Sequence, residues 1–322
     1  MKFLVIQTAF IGDAILATAV LEKIHTFYPK VQIDYLIRKG NEQLFDNHPF
    51  INKLWIWNKK RNKLKSQIDL ILQIRKVKYD YIINCQRYLS SGIFSIFSGA
   101  NETVGFDKNP VSFLFTKIVK HHFDGTHEVA RNQKLIAFLT NNLASKPRLY
   151  PPLLILENRS FVTISPSSVW FTKQFPEHKW IEFIDKLPLD IEIYLLGAAN
   201  DKSYNEHIIQ KSTRKTGIFN KAGLYSLLDS AALMQKAKMN YVNDSAPMHL
   251  CSAVNAPVCV VYCSTVSEFG YGPLSDISHI VETKEALSCR PCGIHGHKTC
   301  PEMHFKCAKT IDIERLIHIL ET

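Results

Sequence analysis

The sequence predicts an α/β protein made of two doubly wound, mainly parallel sheets covered by helices. Three observations lead there. Short β-rich apolar runs alternate with longer amphipathic stretches along the whole chain. The alternation breaks at residues 141–159, a polar stretch containing Pro147, Pro151 and Pro152, and restarts at Phe161. With 322 residues and a 46% hydrophobic fraction, the chain has the length for about two domains, each with its own core. The boundary is expected between residues 155 and 156.

The first half opens on an apolar run at 3–6 with the length of a buried strand. Gly12 and Asp13 then begin a helix over 13–28, whose apolar positions continue through Ile15, Leu16, Ala19, Val20 and Ile24. Strands follow at 33–37 and 81–84, and helices at 61–76 and 127–140. In the second half strands are expected at 161–164, 192–196, 240–242 and 258–262. Its helices are expected at 177–187, 201–211, 225–237, 245–254 and 312–321. Strand–helix alternation of this kind gives two Rossmann-like halves.

Composition narrows the function classes. Residues 1–150 hold 22 Lys and Arg against 11 Asp and Glu, whereas residues 151–322 hold 17 against 18. The excess positive charge is therefore confined to the first half. It suits nucleic acid, an anionic membrane face or a phosphorylated substrate. Lys59, Lys60, Arg61, Lys63, Lys65, Arg75, Lys76 and Lys78 are its densest region, next to Trp55 and Trp57. The N-terminal apolar run resembles a secretory signal, but Gln7 and Asp13 interrupt it. No stretch reaches the length of a membrane span, and a cytoplasmic protein is expected. There is no Gly-x-Gly-x-x-Gly after a strand, no Walker loop, no His-Glu-x-x-His and no Asp-x-Asp. Cys85, Cys251, Cys259 and Cys263 stand in apolar surroundings and read as small buried hydrophobes.

Three segments carry chemistry. Asp13 lies at a strand-to-helix turn beside Gly12, where open α/β sheets place ligands; it either caps the helix or meets a ligand. In the segment Tyr241-Val-Asn-Asp-Ser-Ala-Pro-Met-His-Leu250 a strand end runs into a helix with Pro247 near its first turn. The N–H groups of Ser245, Ala246 and Met248 are expected to be unpaired there and to suit a phosphate, the alternative being ordinary capping by Asp244 or Ser245. Ser165-Pro166 through Lys173-Gln174-Phe175-Pro176 forms a polar loop after the first strand of the second half, and Lys173 can supply a point charge to a leaving diphosphate, the alternative being a solvent-exposed loop lysine.

In this order the segments resemble those of the ADP-heptose:lipopolysaccharide heptosyltransferases, glycosyltransferase family 9. Asn243-Asp244-Ser245-Ala246-Pro247-Met248-His249-Leu250 is close to the family's Asn-Asp-Ser-Gly-Pro-Met-His signature, and Asn220-Lys221-Ala222-Gly223 resembles its Leu-Ala-Gly segment. Ala246 replaces the usual Gly, which would carry strain if the position needed a positive φ. The resemblance implies two Rossmann-like domains facing across a cleft (GT-B type), with residues 1–155 binding the acceptor and 156–322 the nucleotide sugar. It implies an inverting transfer of heptose from ADP-heptose to a lipopolysaccharide core or related anionic glycolipid, without a catalytic metal ion. Asp13 would be the base, and Lys173 and the helix start would stabilise the leaving diphosphate. Gly12, Lys173, Gly197, Asn220, Gly223, Asp244, Ser245, Ala246, Met248 and His249 would contact the donor.

Cys289, Cys292, Cys300 and Cys307 crowd together as Cys-x2-Cys-x7-Cys-x6-Cys, a spacing that suits one structural Zn or Fe, with His295, His297 or His304 as substitutes for a thiol. The alternative is a cysteine-rich tail without metal. Two rival functions stay open: a relative that glycosylates protein, and a basic nucleic-acid binder with a metal knuckle. The basic residues lack interleaved aromatic recognition groups, so no nucleic acid is expected. A peripheral position at the inner membrane face would bring the enzyme to a glycolipid acceptor.

Overall fold

A computed structural model describes residues 1–60, 62–154 and 159–321. The chain divides into two compact units, Met1–Tyr150 and Pro151–Thr322. The boundary expected at 155/156 lies outside the described residues, as does Arg61 of the basic segment.

The first unit carries strands β1 (Lys2–Gln7), β2 (Gln32–Arg38), β3 (Ile51–Trp57), β4 (Tyr81–Asn84), β5 (Glu102–Phe106) and β6 (Lys117–Val119). Its helices are α1 (Ile11–Phe27), α2 (Lys63–Val77), α3 (Leu89–Phe97) and α4 (Glu128–Gln133). The sheet is parallel with order β3-β2-β1-β4-β5-β6. β1 is apolar because helices cover both faces of a parallel sheet; Phe3, Leu4, Val5 and Ile6 are fully buried. α1 is apolar nearly all round for the same reason, with Ala14 through Leu21 buried. Trp57, Ile74, Ile82 and Phe94 close the core on the side of α2 and α3.

The second unit repeats the plan. Its strands are β7 (Phe161–Ser165), β8 (Glu192–Leu195), β9 (Ile218–Asn220), β10 (Asn240–Asn243), β11 (Val258–Tyr262) and β12 (Ser278–Glu282). Its helices are α5 (Glu177–Lys186), α6 (Lys202–Lys211), α7 (Leu227–Lys236), α8 (Ala246–Val254), α9 (Lys306–Lys309) and α10 (Glu314–Glu321). The sheet order is β12-β11-β10-β7-β8-β9, again parallel throughout. Phe175 stands edge-on to Trp180 at 5.0 Å, both fully buried, and the Tyr241 hydroxyl donates to the Leu316 carbonyl at 3.0 Å. This ties α5, β10 and the C-terminal helix into one core.

Read from the middle strand outward, each sheet has the same doubly wound order, and strand order reverses at one point in each. In the first unit that point lies between β1 and β4, and in the second between β7 and β10. Ligands of open α/β sheets bind beyond the carboxyl ends of the strands there. Two expected features differ. The helix expected over 127–140 ends at Gln133 and continues only as a 3-10 turn, Lys134–Ile136. Strands β3, β5, β6, β9 and β12 and helices α3 and α9 were not read from the sequence.

Candidate active site

In the first unit, β1 ends at Gln7 and α1 starts four residues later, so Asp13 lies in the first helical turn, at the switch point. Phe10, the N-cap residue, makes no side-chain cap bond. The Asp13 carboxyl takes over part of that role, through backbone hydrogen bonds at Phe10 and at its own N–H. Burial nevertheless pushes its pKa above the ordinary carboxylate value, outweighing those bonds and the Arg87 charge.

A second carboxyl stands in the field of the first. Glu128 opens α4, is buried, and has its pKa raised by burial and then by Asp13, against the pull of Arg131 and Arg87. Arg131 is itself buried, with Nε 3.2 Å from Glu128 and its other nitrogens donating to the His122 and Thr126 carbonyls at 3.0 Å. The Arg87 and Arg131 guanidinium groups both lie over the Phe123 ring, at 4.7 and 5.0 Å. Glu128 and Arg87 beside Asp13, and Arg131 paired with Glu128, were missed from the sequence. Arg87 follows β4, so only the sheet order β1-β4 brings it to Asp13.

In the second unit, Lys173 follows β7 and Asp244 follows β10, the two strands at the switch point. Lys173 Nζ meets Asp244 Oδ2 at 2.7 Å in a partly buried ion pair, and the Thr265 hydroxyl donates to the same oxygen at 2.6 Å. Asn243 holds the loop that presents Lys173. Its Nδ2 donates to the Pro166 carbonyl at 3.0 Å, and its Oδ1 accepts from the Phe175 N–H at 2.9 Å. An ammonium has three donors, so the pair leaves Lys173 able to meet an anion as well.

The start of α8 differs from expectation in one respect. The Met248 N–H is not unpaired; it donates to the Ser245 carbonyl at 3.1 Å, and the Met248 side chain is fully buried beside Tyr262. Met248 is thus a packing residue. The Ser245 and Ala246 N–H groups have no partner among the described residues, and the Ser245 side chain does not cap the helix. Ala246 is the first helical residue and is not among the described residues with positive φ, so alanine is unstrained there. His249 is buried in the helix that follows.

Gly197, Asn220 and Gly223 come together at the carboxyl ends of β8 and β9. The Gly223 N–H donates to the Gly197 carbonyl at 3.0 Å, and Asn220 Oδ1 accepts from the Ala222 N–H at 3.1 Å. Gly223 has φ +73°, and a Cβ there would lie 2.8 Å from the Ala199 Cα, so only glycine fits. A Cβ on Gly197 would lie 2.8 Å from that of Asp201. Gly12 sits beside Asp13 in α1, on the first unit.

The cysteine segment docks on the Lys173 loop. The His297 N–H donates to Thr172 Oγ1 at 2.7 Å, and the Cys292 N–H donates to the Ser264 carbonyl at 2.8 Å. Burial and then the neighbouring Cys292 and Cys300 push the Cys307 thiol up to about 12. Burial and then Cys289 and Cys300 raise that of Cys292. The thiols thus share one neighbourhood. Cys292 donates to the Cys289 carbonyl, and Cys289 lies 3.9 Å from His304 Nε2. Among the described residues, no group of three or more His, Cys, Asp or Glu is arranged to hold a metal ion. Cys85, Cys251, Cys259 and Cys263 are buried, as the sequence predicted.

Residues 68–304 match glycosyltransferase family 9 (heptosyltransferase). The chain belongs to glycosyltransferase family 9. Lys173, Asp244 and the glycine turns of this glycosyltransferase lie inside the matched region, while Asp13 and Cys307 lie outside it. It is 25% identical to lipopolysaccharide heptosyltransferase 1 of Campylobacter coli, over 100% of this chain and 98% of that protein. It is similar in structure to a family 9 glycosyltransferase from Veillonella parvula, with TM-score 0.83 and 18% identity, covering 100% of this chain and 97% of that one. It is also similar to the ADP-heptose lipopolysaccharide heptosyltransferase II of E. coli, with TM-score 0.78 and 19% identity, covering 100% and 99%. The likeness spans both units, and the fold is of GT-B type.

Proposed function

We propose that this glycosyltransferase moves a heptose from ADP-heptose to a lipopolysaccharide core or related anionic glycolipid. The first unit takes the acceptor and the second the donor. The single observation that carries the reading is the Lys173–Asp244 pair at the second switch point, beside the α8 start. A held ammonium next to N–H groups without a partner among the described residues suits a diphosphate. Asp13, a carboxyl whose pKa burial raises, suits a general base.

The acceptor hydroxyl oxygen attacks the anomeric carbon while Asp13 takes its proton. A new C–O bond forms on one face as the bond to the diphosphate breaks on the other. A single displacement of this kind inverts the anomeric centre. Lys173 and the Ser245 and Ala246 N–H groups meet the negative charge that gathers on the departing ADP. These groups supply the stabilisation a divalent cation gives in other transferases, so transfer should persist in EDTA. Gly197, Asn220 and Gly223 line the turns that would face the nucleoside.

A thermal-shift panel of ADP, UDP, GDP and dTDP tests the donor. ADP should raise the melting temperature most, because a ligand of the native state adds stability in proportion to the logarithm of its saturation. An equal response to all four, or to another base, would contradict the reading. Transfer to a truncated lipopolysaccharide core, or to protein, then decides the acceptor.

The cysteine segment would hold one structural Zn or Fe through Cys289, Cys292, Cys300 and Cys307. The Cys-x2-Cys-x7-Cys-x6-Cys spacing supports it, although the four side chains are not arranged around an ion among the described residues. Four protein ligands leave no open position, so the ion would brace the segment behind Lys173 and take no part in transfer. Elemental analysis of protein purified without added metal should find about one ion per chain. Its absence, with four freely titrating thiols, would leave a cysteine-rich loop alone.

A further inference from the structure

Helix α2 has two apolar faces. One packs inward through Ile71 and Ile74, as a helix on a sheet must. The other carries Leu64, Ile68 and Leu72, which are 74%, 57% and 56% exposed. A spacing of four places these three side chains one above the other along one face. A lone exposed leucine is ordinary, but an aligned row of three large aliphatic side chains on a solvent-facing helix is a patch. Phe97, at the end of the adjacent helix α3, is also about half exposed.

The surroundings of the row are basic. Lys60, Lys63, Lys65, Arg75, Lys76 and Lys78 are all exposed, and Asp69 is the one carboxylate in residues 59–78. Arg75 extends along the turn after Phe97, where its Cγ would meet a Cβ placed on Gly99 at 3.2 Å. The row begins on the side of the sheet that carries Asp13. α2 follows β3, so Leu64 lies toward the carboxyl edge of the sheet. There Lys59 Nζ donates to the Thr8 carbonyl at 2.6 Å, just before the turn that carries Asp13.

We propose that the outer face of α2 is a docking surface for an anionic lipid bilayer. Leu64, Ile68 and Leu72 enter the boundary between headgroups and acyl chains, and the lysines and arginines around them meet the anionic headgroups. An apolar row with a basic border is the pattern of a helix that lies in a membrane surface. A second protein copy would need acidic groups opposite the basic border. The choice of a bilayer rests on the glycolipid acceptor proposed above, since docking here brings the Asp13 edge to the surface where such an acceptor resides. No helix among the described residues is long and apolar enough to cross a membrane.

Vesicle co-sedimentation tests the proposal without any sugar substrate, so its outcome is separate from that of the transfer assay. The probes are phosphatidylcholine vesicles with and without one third phosphatidylglycerol. The wild-type chain should pellet with the anionic vesicles, poorly with the neutral ones, and less as salt rises. Leu64→Ser/Ile68→Ser/Leu72→Ser should lower the partition coefficient on the order of a hundredfold while keeping the thermal shift caused by ADP. Lys65→Glu/Lys76→Glu should lose the preference for anionic vesicles, and serves as a second variant should the first fold poorly. Equal pelleting of the wild type and the serine variant would overturn the proposal. So would a wild type that ignores vesicles but sediments as a dimer that the serine variant dissociates; the face would then join two copies of the chain.

Discussion

The two units share one strand order, yet their switch points are furnished with opposite chemistry. In the first, a carboxyl sits beyond β1 among a second carboxyl and two guanidinium groups, with its pKa raised by burial. In the second, an ammonium sits beyond β7, clamped at 2.7 Å by a carboxylate from beyond β10. The fold supplies the location in both cases, and the residues at that location supply its chemistry. A raised carboxyl can take a proton; a held ammonium beside free N–H groups can receive an anion. The backbone also differs. The first switch point relies on burial, opposed by the Arg87 charge, to tune Asp13, whereas the second relies on hydrogen bonds from Asn243 and Thr265 to fix where Lys173 stands.

The largest expected effect breaks the comparison at the first switch point. Asp13→Asn should slow transfer by roughly 10²–10⁴-fold, the usual cost of losing a general base. Its stability should move the other way. A carboxyl whose folded pKa is raised contributes stability that is fully present below its unfolded pKa and is lost as pH rises through its folded pKa. At neutral pH Asp13→Asn should therefore melt no lower than the wild type by calorimetry. A large loss of stability with transfer intact would reduce Asp13 to a helix cap.

Lys173→Ala comes next. It removes the charge met by the diphosphate in both ground and transition states, so KM for the donor should rise and kcat fall, each by about tenfold. Asp244→Asn keeps the Thr265 contact but releases Lys173, and should give a smaller version of the same phenotype in steady-state kinetics. Gly223→Ala tests the nucleoside turn. Positive φ and the nearby Ala199 backbone should cost about 1–3 kcal/mol of stability, read by urea unfolding.

The strands read correctly from the sequence are the inner ones, and those missed are mostly at the edges. β1, β2, β4, β7, β8, β10 and β11 carry short apolar runs because helices or neighbours cover them. β3, β6, β9 and β12 are edge strands. β3 alternates exposed Asn52, Lys53 and Ile56 with buried Trp55 and Trp57, so it has no continuous apolar run to detect. Helix α3 was hidden by Gly92 and its serines, which are poor helix formers. Gly92 is there for packing, since a Cβ would lie 2.3 Å from Asn109 Oδ1. The site divides along the same line. The positions of Asp13, Lys173 and Asp244 beyond strand ends were legible because each stands in a local strand-to-helix pattern. Glu128, Arg131 and Arg87 were not, because only tertiary pairing brings them to Asp13. Met248 was misread because a helix start that looks open in sequence can close its own turn.

The smallest expected effect sharpens the first switch point. Asp13 must be ionised to act, so transfer should fall as pH drops through its raised pKa. Glu128→Gln removes a neighbouring negative charge and should shift that acid limb to lower pH. Arg87→Gln removes a positive one and should shift it to higher pH. Each shift should be about one unit or less in a kcat–pH profile. Shifts of the same sign in both variants would mean that the limb belongs to another group.

Calorimetric titration of ADP into the wild type, Asp13→Asn and Lys173→Ala tests the division of labour most directly. The expected result is a Kd for Asp13→Asn within about twofold of the wild type and one for Lys173→Ala weaker by about tenfold or more. The reverse pattern, with ADP affinity lost at Asp13 and kept at Lys173, would contradict the assignment of proton transfer to the first unit and diphosphate to the second.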